Sequence, residues 1–344
     1  MENIENENPE STENTTPIAS SAPTFEQNSE LQKITTGIRL IKGELNKVIV
    51  GQTQLIDGLI IAILANGNCL IEGVPGIAKT LSANLLAKTM QVGFARIQFT
   101  PDLMPSDILG TSVFDPKTSE FEFKPGPIFS NIILVDEINR APAKTQSALF
   151  EVMAEKQITM DGTTYTMKEP FVVLATQNPI EQEGTYRLPE AQLDRFLFKI
   201  NIDYPSLEEE KQILAQHNAR KGGDQMDEVK PVLSGEEVKK MQQIVQGINV
   251  EKSIQEYIAS VVFQTRSHPM LYLGASPRAS LAILDAAKAK AAMMGRDFVI
   301  PEDVKYVAPL ALAHRVVVAP EKEMEGISAT YVVQELIEAI EIPR

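Results

Sequence analysis

The spacing of apolar residues changes near residue 205, and this change divides the chain into two parts. Up to that point, short continuous apolar runs alternate with segments of helical period, which is typical of strands buried on both faces of a parallel sheet. The predicted strands are 69–71, 96–99, 132–135, 171–175 and 197–202. Beyond residue 205 only helical patterns follow. The pattern therefore predicts an α/β core over 31–205 and an all-α domain over 206–344.

Two further segments of the core are predicted β-hairpins. Residues 111–124 place apolar and polar residues on either side of a polar tip at 115–118. Further along, 157–160 and 164–167 flank Asp161-Gly162, a turn signal. We interpret the first hairpin as an insertion, because a minimal α/β unit does not require it.

The first 30 residues differ in composition from the rest of the chain. They hold seven glutamates and no lysine or arginine, mixed with Asn, Ser, Thr and Pro. Such a segment buries too little apolar surface to offset the entropy lost on ordering. We therefore predict a disordered acidic tail over 1–30, followed by the core.

Charge and cysteine content disfavour several classes of protein. A net charge of -14 argues against nucleic acid as a partner, since nucleic-acid binding needs an excess of Lys and Arg. The single cysteine, Cys69, forms no intrachain disulfide, which is compatible with a reducing cytoplasm. Neither a signal peptide nor an apolar run near the ~20 residues of a membrane span is found, so no direct membrane insertion is expected.

Residues 73–80, Gly-Val-Pro-Gly-Ile-Ala-Lys-Thr, join a predicted strand to a predicted helix. A glycine-rich turn that leads into a helix can form a phosphate cradle, because backbone N–H groups and the positive helix end face one point. Lys79 is expected to contact the β- and γ-phosphates of a nucleotide, and the Thr80 hydroxyl to hold Mg²⁺. An ordinary strand–turn–helix connection with a chance lysine is the alternative.

Ala78 departs from the general pattern G-x-x-x-x-G-K-[ST], because it stands where the last glycine is expected. Gly76 lies two residues earlier. An alanine is tolerated at this position if it adopts ordinary helical φ and ψ angles.

Polar side chains follow two of the predicted buried strands. Asp136 and Glu137 end the run 132–135, and Asn178 follows 171–175. Ligands of open α/β sheets bind at the carboxyl ends of the strands, so these residues should lie beside the glycine loop. Asp136 would orient Mg²⁺, Glu137 would polarise the attacking water, and Asn178 would hold that water without adding charge. An Asn-Pro turn is the alternative interpretation of Asn178, and the two interpretations do not exclude each other.

Two arginines are candidates for contacts with transferring phosphate. Arg195 precedes the last strand of the core; the sequence places it on the active edge but too far along the sheet to reach its own nucleotide, which favours a neighbouring subunit's site. A surface cation at a helix end is the alternative. Arg278 lies in the first turn of a helix that begins at Ser276-Pro277. A cation there needs an anionic partner, either phosphate or an internal carboxylate.

Taken together, these residues resemble the MoxR family of AAA+ ATPases over about residues 31–340. The stretches that carry the resemblance are 48–52, 73–80, 134–140, 175–179, 188–196 and 274–279. Glu-Ala-Gln-Leu-Asp-Arg-Phe and Gly-Ala-Ser-Pro-Arg-Ala are highly specific, and the Ala78 variant of the loop is usual in that family.

The resemblance implies a P-loop core with a parallel sheet and two β-hairpin inserts, followed by a helical lid, and it implies roles for matching positions. Lys79 and Thr80 form the Walker A pair, Asp136 and Glu137 the Walker B pair, and Asn178 is sensor 1. Arg195 is the finger acting in trans, and Arg278 is sensor 2 acting in cis. The implied ATP-contacting residues are Val50, Gly51, Gln52, Gly73, Val74, Pro75, Gly76, Ile77, Ala78, Lys79, Thr80 and Leu81, with Thr80 and Asp136 holding Mg²⁺.

The resemblance further implies a homo-oligomer, a hexameric ring with ATP between subunits, and chaperone-like work on a partner with a von Willebrand factor A domain. A metal-chelatase motor subunit is the alternative, because its core and inserts are similar. A nucleic-acid motor is disfavoured by the acidic balance. An ATP-binding scaffold without turnover is disfavoured by Glu137.

Overall fold

The computed structural model describes residues 25–74, 76–117, 119–178, 186, 188–220 and 222–343. Helix α1 begins at Phe25, so residues 25–30, predicted as part of the tail, belong to a helix. Residues 1–24 of that predicted tail lie outside the described residues.

The core alternates helices and strands as the apolar pattern predicts. Its elements are α1 Phe25–Leu45, α2 Thr53–Leu64, β1 Cys69–Gly73, α3 Lys79–Thr89, β2 Phe94–Gln98, α4 Pro105–Leu109, β3 Gly110–Asp115, β4 Glu120–Pro125, β5 Ile132–Asp136, α5 Ala143–Glu155, β6 Gln157–Met160, β7 Thr163–Thr166, β8 Val172–Gln177, α6 Glu190–Leu193 and β9 Phe198–Ile202.

Five strands form one parallel sheet in the order β2-β5-β8-β1-β9. Both faces of this sheet are covered, since Leu134 packs into an apolar cluster with α1, α2 and α3, whereas Val135 packs into a second cluster with α5. Because the five strands are parallel, all their carboxyl ends lie at one side of the sheet, which we call the carboxyl edge. The opposite side is the amino edge.

The two predicted hairpins are present and contact each other. β3 pairs antiparallel with β4, and β6 with β7. Phe123 stacks on Tyr165 with ring centroids 4.5 Å apart, and Ser112 Oγ donates a hydrogen bond to Asp161. The inserts therefore share one small apolar contact.

After β9 the chain forms a domain, which we call the lid, of seven α-helices within the described residues. They are α7 Leu207–Arg220, α8 Gly235–Gln246, α9 Lys252–Thr265, α10 Pro277–Met293, α11 Pro301–Leu312, α12 Pro320–Met324 and α13 Ala329–Ala339. The all-α prediction needs one addition, because β10 Leu271–Leu273 pairs antiparallel with β11 Val317–Val318. These strands are only three and two residues long and lie far apart in the chain, so no local pattern indicates them.

The lid packs directly against the first two helices of the core. Helix α10 contacts α1 and α2, and residues of all three helices share one apolar cluster. On α2, Asp57 lies 2.6 Å from Lys42 Nζ, and burial together with the charge of Asp57 raises the pKa of Tyr306, on α11, to about 12. Among the described helices, none combines the length and apolar content that a membrane span requires.

Candidate functional site

The predicted phosphate loop lies at the carboxyl edge, between β1 and α3. Lys79 Nζ donates a hydrogen bond to the Gly73 carbonyl oxygen at 2.6 Å. Gly73 is tightly packed, because a Cβ there would lie 2.9 Å from the Ile202 carbonyl oxygen. No side chain caps the first turn of α3, so its N–H groups are available to an anion. Pro75 lies outside the described residues.

Ala78 does not have the helical conformation on which its tolerance was predicted to depend. It is the N-cap of α3 and has φ 60° and ψ 21°, in the left-handed region. A Cβ in this region costs about 1–2 kcal/mol, because it approaches the following carbonyl oxygen. The loop therefore carries backbone strain that a glycine would not have.

The loop that precedes α2 also lies at the carboxyl edge. Gly51 has φ 67° and Gln52 has φ 53°, and this left-handed pair leads the chain directly into α2, with Gln52 as its N-cap. Gln52 Nε2 donates to the Asp203 carbonyl oxygen at 3.4 Å, just after β9. Because the end of β9 pairs with Gly73, the loop at Gln52 lies near the phosphate loop.

Asp136 joins three elements at the end of β5. Its Oδ1 accepts a hydrogen bond from Thr176 Oγ1 at 3.0 Å. Its Oδ2 lies 3.5 Å from Thr80 Oγ1 and 2.6 Å from Arg96 Nε. The predicted pair Thr80 and Asp136 is thus brought together, and hydroxyl and carboxylate oxygens are the ligands that Mg²⁺ prefers. The side chains present fit that ion.

Glu137 is held by its backbone and by its carboxylate. Its N–H donates to Thr176 Oγ1 at 3.1 Å, and its φ of 56° turns the side chain out of the strand direction. The Oε2 atom accepts from Gln98 Nε2 at 3.0 Å and lies 2.7 Å from Arg140 Nε. The carboxylate therefore has a neutral donor and a cation beside it.

Asn178 is buried at the end of β8, which lies between β5 and β1 in the sheet. The residue therefore follows a strand that lies between the strand ending in Asp136 and the strand ending at the phosphate loop. Pro179, the other half of the predicted turn, lies outside the described residues.

Arg195 lies at the amino edge, not at the active edge where the sequence places it. β9 runs parallel to β1 with Phe198 opposite Cys69, so the residues before β9 lie beside the start of β1. Arg195 is exposed, and its Nη1 donates to the Phe150 carbonyl oxygen at 2.6 Å. The position of Arg195 follows from the register of β9 on β1, which cannot be predicted from the sequence alone.

Arg278 lies beside the same segment of the core. Its Nη1 atom is 3.6 Å from Asp194 Oδ2, so the anion next to this helix N-terminus is an internal carboxylate. Asp194 immediately precedes Arg195. Arg278 therefore lies beside the backbone segment that carries Arg195, at the amino edge and away from the phosphate loop of its own chain.

Comparisons with known proteins agree with this geometry. Residues 68–198 match the model of the ATPase family associated with various cellular activities, and 263–336 match that of the AAA lid domain. A crystal structure of a candidate ATPase from Cytophaga hutchinsonii superposes with a TM-score of 0.86 at 42% identity, covering 93% of this chain and 98% of that one.

Relatives of known sequence extend the match over most of the chain. The uncharacterized protein YeaC of Bacillus subtilis is 48% identical, over 87% of this chain and 92% of its own. Chaperone MoxR1 of Mycobacterium tuberculosis is 44% identical, over 88% of this chain and 81% of its own. The chain belongs to the MoxR family of AAA+ ATPases. It binds nucleotide and is an ATP hydrolase.

Three polar residues of this MoxR-family site were not singled out from the sequence. Arg96 and Gln98 lie on β2, two residues apart, and contact the acidic pair because β2 pairs with β5 in parallel register, Gln98 opposite Asp136. Thr176, on β8, bonds to both members of the acidic pair. The alternation of polar residues in 94–98 was the available signal, but its meaning depends on the strand order.

Ser276 is the N-cap residue of α10, and serine at that position usually caps the helix with its hydroxyl. The Ser276 hydroxyl does not cap α10, and instead donates to the Asp194 carboxylate at 3.0 and 3.2 Å. A lost serine cap costs a helix about 1 kcal/mol. In this MoxR-family chain, that hydroxyl ties the lid to the residue before Arg195.

Proposed function

We propose that this MoxR-family protein hydrolyses Mg-ATP at sites shared by neighbouring subunits of a hexameric ring. The observation that supports this is the separation of the arginines from the phosphate loop of their own chain. From Phe198 to Ile202, β9 extends about 13 Å along β1, and Arg195 lies beyond the far end of that span from Gly73. An arginine on the amino edge needs the nucleotide of a second subunit.

In the proposed site, one subunit supplies the loop side. Lys79 binds the β- and γ-phosphates, Thr80 and Asp136 would hold Mg²⁺, Glu137 polarises the attacking water and Asn178 orients it. A bound Mg²⁺ would neutralise charge on the phosphates. Residues 50–52 and the loop 73–81 contact the nucleotide.

The neighbouring subunit supplies the arginine side. Arg195 would stabilise charge that develops on the transferring phosphoryl group, as arginine fingers do. The resemblance implies that Arg278 acts in cis, but its position beside Asp194 favours action in trans with Arg195. We therefore assign both arginines to the site of the neighbouring subunit.

The test of the loop side is a single substitution. Glu137→Gln keeps shape and hydrogen bonding but removes the charge that activates water. We expect the variant to bind ATP like the wild type, to form the ring in ATP by native mass spectrometry, and to release no phosphate in steady state. Phosphate release at the wild-type rate would refute the role of Glu137, and a single subunit at saturating ATP would refute the ring.

We propose that the ring remodels or activates a protein partner that carries a von Willebrand factor A domain. Support comes from the family membership and from one relative that is named a chaperone. Affinity capture with Glu137→Gln in ATP, with ADP as the control, should enrich a protein with that domain. Enrichment of a metal-insertion complex instead would favour the chelatase alternative. Within the described residues, no group of His, Cys, Asp and Glu could hold a metal cargo.

We also propose a cytoplasmic location. The single cysteine, Cys69, lies buried in β1, and burial raises the pKa of its thiol. Such a thiol packs as a small apolar side chain and fits a reducing compartment.

A further inference from the structure

Asp194 connects the arginine finger segment to the lid through three side chains. Its carboxylate accepts hydrogen bonds from Ser276 Oγ at 3.0 and 3.2 Å and from Arg315 Nε at 2.8 Å. Arg278 Nη1 lies 3.6 Å from Oδ2. One carboxylate, directly before Arg195, therefore bonds to two separate parts of the lid, at the start of α10 and after α11.

Arg315 holds the backbone of the same segment. Its Nη2 donates to the carbonyl oxygens of Asp194 at 3.0 Å and Phe196 at 2.6 Å, and its Nη1 donates to that of Leu197 at 3.1 Å. The side chain of Arg315 is only 3% exposed, so these bonds are shielded from water. The segment 194–197 is thus fixed on the lid.

Arg278 is held differently. Its side chain is 63% exposed, and an exposed ion pair at 3.6 Å is weak. The guanidinium can therefore exchange Asp194 for another anion that approaches the amino edge. A phosphate of a neighbouring subunit is such an anion.

The side chains of Arg278 and Arg315 both lie beside the Asp194 carboxylate. Burial lowers the pKa of Arg315 below its usual value; the hydrogen bond and charge of Asp194 partly offset this, and the charge of Arg278 adds to it. Without the charge of Asp194, Arg278 and Arg315 would repel each other, and the start of α10 would lose the bond through Ser276.

We propose that Asp194 is a positioning residue that sets Arg195 and Arg278 side by side, so that one subunit presents both cations to the γ-phosphate of its neighbour. The lid and the finger then approach that phosphate as one unit. This inference rests on the proposed shared site. It predicts that Asp194 serves the neighbour's ATP and not the ATP bound to its own chain.

Rings assembled from two variants distinguish an effect of Asp194 on the neighbour's ATP from an effect on the ATP of its own chain. Acceptor subunits carry Arg195→Ala, so they hydrolyse ATP only with a finger from a neighbour. Donor subunits carry Glu137→Gln, so they supply a finger but do not hydrolyse. Phosphate release from the mixture therefore measures how well the donor subunits supply the finger. Donors that also carry Asp194→Asn should lower this release about tenfold, within the range of site-to-site coupling.

The matched control exchanges the roles. Acceptors with Asp194→Asn and Arg195→Ala, mixed with Glu137→Gln donors, should release phosphate like acceptors with native Asp194. If Asp194 had only a structural role, Asp194→Asn would lower phosphate release both in donors and in acceptors. A second control donor carries Asp57→Asn, which weakens another contact between core and lid, and should donate normally.

Ser276→Ala is the milder variant, because it removes one hydroxyl and no charge. If Asp194→Asn donors fail to bind ATP, Ser276→Ala donors decide the question, with a smaller loss in the same direction. Equal release with native and altered donors, or equal loss on both sides, overturns the inference. Absence of release with native donors instead overturns the proposed shared site, so the two failures are distinguishable.

Discussion

Arg96 Nε lies 2.6 Å from Asp136 Oδ2, the same oxygen that lies 3.5 Å from Thr80 Oγ1. This carboxylate oxygen therefore faces both a guanidinium and the hydroxyl that is proposed to hold Mg²⁺. The Arg96 side chain is 54% exposed, so its pairing is weakened by solvent and can be exchanged. If Mg²⁺ binds there as proposed, Arg96 and the ion compete for one oxygen.

Replacing Arg96 by Met should lower the Mg²⁺ concentration that ATP binding requires, because it removes this competition. An exposed pair of this kind is worth a shift of about two- to fivefold. The measurement is a Mg²⁺ titration of a fluorescent ATP analogue in the Glu137→Gln background. Lys124→Met, which breaks an exposed pair with Glu122 in the hairpin, is the control. A higher Mg²⁺ requirement in Arg96→Met would contradict the competition.

Replacing Ala78 by Gly should stabilise the protein, because glycine adopts the left-handed region without strain. The relief of about 1–2 kcal/mol is partly offset by the greater freedom of glycine in the unfolded chain, so we expect a net gain of about 0.5–1 kcal/mol. Urea unfolding without nucleotide measures it. Ala87→Gly, inside the same helix, should instead lose about 1 kcal/mol. A loss in both variants would show that Ala78 is not strained.

The sequence was sufficient to predict the loop and the acidic pair, because both depend on local order along the chain. A buried apolar run ending in Asp136 and a glycine turn ending in Lys79 each imply one edge of a parallel sheet. The family resemblance and the fold class are confirmed by the family models and relatives.

Contacts that depend on strand order and register could not be predicted in this way. Arg96 contacts Asp136 only because β2 pairs with β5, and Arg195 lies at the amino edge only because β9 runs parallel to β1. Ser276 has the sequence of a helix cap, yet Asp194 takes its hydroxyl through tertiary packing. Each of these partners lies far away in the chain.

His314 should make stability depend on pH. Burial, followed by the charge of Arg315, lowers its pKa well below 6.5, and its Nε2 lies 3.0 Å from the Phe196 carbonyl oxygen. The folded state keeps the ring neutral while the unfolded chain takes up a proton, so the free energy of unfolding falls as pH drops below 6.5 towards the folded pKa.

His314→Gln removes this titration. Between pH 6.5 and 5 the wild type should lose up to about 1.4 kcal/mol per pH unit more than the variant. Urea unfolding at several pH values gives both slopes. Parallel curves for the two proteins would show that His314 does not titrate in this range.

The most direct measurement mixes two inactive variants in one ring. Arg195→Ala keeps the loop side of each site and loses the finger, whereas Glu137→Gln keeps the finger and loses the base. Because the two halves of a site come from neighbouring subunits, the mixture should release phosphate although neither variant does alone, with a maximum at an intermediate ratio. No phosphate release at any ratio, in rings shown by mass spectrometry to contain both variants, would contradict the shared site.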